Sequence, residues 1–161
     1  MSAETLIANL TKQYQLHENL LKNALRKTDV LKKGDVDSLQ EVMREEQKLT
    51  TAITMMESER QTAAQSFLRQ TEDSPITIED CIQAASPEAA ETLRVLQEKL
   101  LDIIEKLQEQ NELNKQLIYQ SLQFVNMNLD LLQPEKETAA YGRPVEKKQM
   151  KQGKSFFDSK A

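Results

Sequence analysis

Leu31-Lys32-Lys33-Gly34-Asp35-Val36-Asp37 is the stretch on which the fold turns. Its two lysines suit the carbonyl end of a helix, where the dipole favours positive charge. The glycine stands where a left-handed residue stops a helix, and aspartates open the next one. Upstream, Ile7, Leu10, Tyr14, His17, Leu21, Ala24, Thr28 and Leu31 recur at alternating steps of three and four. That is the stripe an amphipathic helix shows to a partner, and it predicts a first helix over residues 2–33. Downstream, Leu39, Val42, Glu46, Leu49, Ile53, Met56, Arg60, Ala63 and Phe67 keep the same steps. With only Gly34 and Asp35 between them, the two helices are expected to fold back as an antiparallel hairpin. A continuous bent rod, the competing arrangement, would strand both stripes in water unless another chain covered them.

The pattern breaks over residues 70–86. Thr77, three residues before Asp80, resembles a capping box for a short helix to Ala84 or Ala85. Ser86-Pro87-Glu88 combines a capping hydroxyl, a proline at the first helical position and an acidic residue. The helix it starts runs to Leu132, where Gln133-Pro134 stops it, a span of roughly 70 Å at 1.5 Å per residue. The fold class is all-α: an antiparallel hairpin plus a long third helix in a three-helix, coiled-coil-like bundle. Residues 1–133 form the helical domain and residues 134–161 a flexible basic tail.

Composition agrees. Of 161 residues 39% are apolar, yet only 4% are aromatic and none is Trp, a bias toward long helices with narrow apolar seams. The net charge of −5 is uneven. Residues 134–161 hold seven Lys or Arg against four Asp or Glu, and the rest hold fourteen against twenty-two. An acidic body lacks the concentrated positive surface that nucleic-acid binding needs. No stretch approaches the roughly 18 apolar residues of a membrane span, and the N-terminus is not built as a secretory signal. A lone Cys81 fits a reducing compartment, so the cytoplasm is the expected location.

Catalytic chemistry has little to work with. One His excludes a two-His metal site, and His17 falls on the seam of the first helix. No Gly-rich loop could cradle a phosphate, and nothing supplies Cys81 with both a base and an oxyanion donor. No enzyme activity and no cofactor are expected. Glu46 and Arg60 interrupt an apolar seam, a device that sets register when the charges are paired. In a hairpin turned at Gly34, Arg60 comes back level with residues near Asn9, which makes Glu4 and Asn9 its candidate partners.

The segment QEQNELNKQLIYQSLQFVNMNLDLL, residues 108–132, is the informative one. The seam of Leu93, Leu96, Leu100, Ile103 and Leu107 fades, then returns as Leu117, Ile118, Leu122, Val125, Leu129 and Leu132. Tyr119, Phe124 and Met127 make other faces apolar too. A helix that is apolar on more than one side needs a second partner, unless the segment is bundle core. Asn111 and Asn114 suit register-setting hydrogen bonds where apolar packing is thin. At the far end, SFFDSKA places two adjacent rings, Phe156 and Phe157, in an otherwise polar tail. They mark either a weakly ordered end packing locally or a short docking motif.

The run Asn111, Asn114, Leu117, Ile118, Ser121 and Leu122, with apolar positions on to Leu132, resembles the FlgN family of flagellar export chaperones. So does the Gly34-Asp35 joint followed by Leu39, Glu46, Leu49 and Glu59-Arg60. The resemblance covers most of residues 4–133, and the tail is similar to those of Gram-positive members. It implies a cytoplasmic type III export chaperone for the hook-filament junction proteins FlgK and FlgL. Such a protein binds a C-terminal helical segment of its client, keeps it from assembling early and delivers it to the flagellar export apparatus. Asn111, Asn114, Leu117, Ile118, Tyr119, Leu122, Val125 and Leu129 are the client-binding candidates. Two other classes remain: a structural coiled coil closing on a second copy as a homodimer, and a regulator that sequesters a motility factor.

Overall fold

The boundaries of the helices have local chemical causes. The structure, a computed structural model, describes residues 3–71 and 74–132. Among them four helices follow one another: α1 Ala3–Lys33, α2 Val36–Leu68, α3 Ile78–Ala84 and α4 Pro87–Leu132. Gly34 takes φ +69°. Bonds from Gly34 N to Leu31 O and from Asp35 N to Val30 O, both 3.3 Å, close α1 in the paired left-handed stop. A Cβ at Gly34 would meet nothing within 4 Å, so backbone conformation rather than space selects glycine. Asp35 then caps α2. Its carboxylate accepts from Ser38 Oγ (2.6 Å) and Ser38 N (3.1 Å), which hold it below the ordinary carboxylate range. The box at α3 is reciprocal: Thr77 Oγ1 accepts from Asp80 N, and Asp80 Oδ2 accepts from Thr77 N. Ser86 Oγ accepts from Ala89 N at the start of α4.

α1 and α2 run antiparallel, as the short joint requires. Asn9 Nδ2 donates to Met56 O (3.0 Å) and Asn23 Nδ2 to Val42 O (2.9 Å). Gln13 Nε2 donates to Asn9 Oδ1 (2.9 Å). These amides are buried, yet none lies on the predicted stripe. α1 packs on two neighbours and so needs two buried faces. Leu10, His17, Ala24 and Thr28 of the predicted stripe are buried, and Leu6, Asn9, Gln13, Asn23 and Val30 supply the other positions. Leu21 and Ile53, on the same predicted seams, are half-buried. α4 runs parallel to α1. The Lys99 ammonium stands over the Tyr14 ring, 5.8 Å from its centroid, and Asn114 Nδ2 reaches Ala24 O further along both helices.

Both seam charges are paired. Lys27 Nζ meets Glu46 at 3.0 Å. Arg60 takes neither Glu4 nor Asn9; the acceptor Asn9 offers, its Oδ1, already takes a hydrogen bond from Gln13 Nε2. Instead Glu57, one turn back on the same helix, accepts from Arg60 Nε (2.8 Å) and Nη2 (2.7 Å). Arg60 Nη1 donates to Ile76 O at 3.0 Å, and so ties α2 to the segment that leads into α3. The Arg60 hydrogen bonds hold the Glu57 carboxyl below its ordinary range. A depressed folded-state value stabilises the fold above the unfolded carboxylate range near pH 4, and that contribution disappears as pH falls through the folded value. Glu57→Gln should therefore flatten the acid-unfolding curve below about pH 4. Circular dichroism during acid titration reads this directly, and an unchanged curve would show the pair to be inert.

The core gathers where α1 begins and α2 ends. Leu6 and Leu10, Ala64, Ile76, Cys81 and Ile82, and Ala90, Leu93, Leu96 and Leu100 form one buried cluster. The chain divides into two compact units, Met1–Ile118 and Tyr119–Ala161. The first holds the hairpin, α3, the core and α4 up to Ile118. Of the second, the described residues 119–132 are all helical. The predicted basic tail over residues 134–161, with Phe156 and Phe157, lies outside the described residues.

Candidate functional site

The polar interval in the α4 seam is a hydrogen-bonded layer inside the first unit. Gln110 Nε2 donates to Thr28 Oγ1. The Thr28 hydroxyl lies against both Asn114 Oδ1 and, at 3.1 Å, Ala24 O. It has one proton to give, and the contact with Asn114 is the shorter. Asn114 Nδ2 completes the chain by donating to Ala24 O at 2.9 Å. Among the described residues no buried side-chain nitrogen or oxygen lacks a partner, which is the condition for a buried polar layer to specify register without weakening the core. Asn114→Ala should cost about 1–3 kcal/mol, since it leaves the Ala24 carbonyl and the Thr28 hydroxyl short of partners. Urea denaturation measures this; a change near zero would mean that water replaces the amide.

The client-binding candidates fall into separate environments. Asn114 is 2% exposed and its amide is bonded to α1, whereas Asn111 is exposed. Leu117 and Ile118 are half-buried at the end of the first unit. Tyr119, Leu122, Val125 and Leu129, in the second unit, are all exposed. So are Phe124, Met127, Leu131 and Leu132, and Leu132 reaches 77%.

Within residues 119–132 these side chains sort by helical spacing into two stripes. Leu122, Val125, Leu129 and Leu132 follow steps of three, four and three. Phe124, Met127 and Leu131 follow steps of three and four, about 150° further round at 3.6 residues per turn. From residue 116 to 132 Asp130 is the only charged residue. An exposed helix with apolar stripes and almost no charge is suited to covering by another helix. The first stripe was legible as the returning seam. The second was visible only as rings and a methionine on other faces, because Leu131 reads by itself as part of the terminal Leu-Leu pair.

Other features of the first unit carry less chemistry. A cavity of about 340 Å³ lies where Gln13, His17, Glu57, Arg60, Leu100 and Ile104 converge. Its polar lining is engaged: His17 Nδ1 donates to Gln13 O at 2.7 Å, and Glu57 and Arg60 hold each other. Cys81 is buried, and burial pushes its thiol above the ordinary range, the reverse of an activated nucleophile. Among the described residues no group of three His, Cys, Asp or Glu could hold a metal ion. None of the described helices is long and apolar enough to cross a membrane.

These features define a class, the all-helical bundle whose last helix ends in exposed apolar stripes. The chain belongs to the FlgN family: the family model, described as FlgN protein, matches residues 1–149. It is also 35% identical to the uncharacterized protein YvyG of Bacillus subtilis (strain 168), over 162 aligned residues that span all of both chains. No solved structure matches the chain. Flagellar export chaperoning is the general role of this family, and binding of flagellar proteins comes with it.

Proposed function

We propose that the chain is a cytoplasmic type III export chaperone for the hook-filament junction proteins FlgK and FlgL. It takes the C-terminal helical segment of the client on the stripe Leu122, Val125, Leu129 and Leu132, keeps that segment from assembling early and hands it to the export apparatus. The supporting observation is that stripe itself: apolar, at helix-pairing spacing and solvent-exposed in the protein alone. A client segment that would polymerise has an apolar helical face of its own, and pairing the two faces removes both from water. Release at the export apparatus must be reversible, which suits a modest helix-on-helix interface better than a large obligate one. Asn114 is left out of the surface because its amide is engaged within the first unit.

The test is titration of C-terminal peptides of FlgK and FlgL against the full chain, beside a pull-down from a motile-cell lysate. Saturable binding with a gain in peptide helicity supports the proposal. Failure of both peptides, with the chain folded by circular dichroism, would refute this client class. Light scattering on dilution separates the structural alternative, since a dedicated coiled coil stays an obligate dimer.

A further inference from the structure

We infer that the second stripe, Phe124, Met127 and Leu131, is the docking surface of the chain's own C-terminal segment Ser155-Phe156-Phe157-Asp158-Ser159-Lys160-Ala161. The inference does not depend on which client occupies the other stripe. It begins from the fact that residues 119–132 present two apolar stripes about 150° apart, so that one helix lying on the first leaves the second in water. Phe124 and Met127 are 67% and 64% exposed, and a soluble chain seldom leaves such a cluster uncovered.

Three observations select the occupant. The first is connection: the segment follows the stripe in the same chain, with 22 residues between it and the end of α4. Residues 133–154, at up to about 3.5 Å each when extended, are ample to bring it back along the last turns of α4. The second is chemistry. Two of the four Phe in the protein stand side by side in that segment, and aromatic rings pair well with Phe and with the methionine thioether. The third is charge. α4 carries Asp130 near its carbonyl end and has no basic residue in its last turn, where α1 has Lys32 and Lys33. A helix C-terminus favours cations, and Lys154 and Lys160 flank the Phe pair. A second copy of residues 119–132 would bring another Asp130 and no cation.

The experiment is methyl NMR of methionine-labelled protein, with the Met127 signal assigned through Met127→Leu. Three proteins are compared: the full chain, a chain ending at Lys154, and the Phe156→Ser/Phe157→Ser variant. None of them alters a residue of the described helices. The expected result is a ring-current shift of the Met127 methyl in the full chain that is lost in both altered proteins and does not change on tenfold dilution. An identical Met127 signal in all three overturns the inference. So does a shift that fades on dilution, which would assign the stripe to a second copy. So does a shift that appears only on adding a FlgK-type peptide, which would assign it to the client. Peptide titration of the chain ending at Lys154 keeps the two proposals apart: intact client binding there, with an unmoved Met127 methyl, removes this inference and leaves the client reading in place.

Discussion

Leu93→Ala should lower the free energy of unfolding by about 2–5 kcal/mol, the range for emptying a fully enclosed leucine site. Leu93 is completely buried in a cluster that also holds Leu6 and Leu10 of α1, Ile82 of α3 and Ala64 of α2. The cluster draws on all four helices. The neighbours sit on separate helices whose backbones are fixed by hydrogen-bonded caps, so the site has little freedom to collapse around the void. A domain of this size has only about 5–15 kcal/mol of stability in total, so the effect should be plain in a chemical denaturation midpoint. The control is Leu101→Ala, at 62% exposed, expected to stay within about 0.5 kcal/mol. Equal effects from the two substitutions would mean that the core does not lie where α1, α2, α3 and α4 meet.

The contrast between those two leucines also shows what sequence reading can and cannot reach. Helix ends were legible because each is decided by a few local groups. The Gly34 stop, the Asp35 cap, the Thr77–Asp80 box and the Ser86-Pro87 start all act within a turn of the chain. The end of α2 was the exception. It is closed by Arg69 at φ +53°, with Gln70 N bonded to Gln65 O at 3.1 Å, so a left-handed stop stands there without the glycine that would have announced it. Its backbone conformation costs of order 1 kcal/mol or more for a non-glycine residue. Faces were harder than ends. Periodicity finds the apolar side of α1, but Asn9, Gln13 and Asn23 are buried because they reach carbonyls of α2, and no single-helix pattern marks a polar side chain for burial. Arg60 shows the same limit: its partner Ile76 O is a backbone group in a connecting segment, which has no residue-type signal.

The candidate surface was legible in a different way, from excess rather than pattern. Residues 119–132 carry more apolar side chains than one seam can use, and their exposure in the structure agrees with that surplus. Asn111 and Asn114 read alike in sequence, three residues apart, yet only Asn114 points to α1. Three positions leave the two side chains about 60° apart round the helix; Asn114 lies inside the narrow interface with α1 and Asn111 beyond its edge, exposed.

Replacing Leu122 and Val125 together with Gln should weaken binding of a FlgK-type C-terminal peptide by about thirtyfold or more while leaving the bundle folded. Both residues lie on the first stripe, one turn apart and about half exposed, so a client helix laid there would bury both. Loss of a central apolar anchor costs about 2 kcal/mol or more in an interface, which is roughly thirtyfold in affinity. The cost to folding should be small, because neither side chain belongs to the buried cluster of the first unit and Gln is a good helix former. Calorimetric titration gives the affinity, and circular dichroism with thermal melting gives the fold. Asn111→Ala should bind the peptide normally, since its exposed amide stands apart from the stripe. Two results would sink the reading. A double variant that binds normally would move the client onto the hairpin of α1 and α2. A double variant that melts far below the parent would make Leu122 and Val125 core residues, and the returning seam of α4 would then be structure rather than surface.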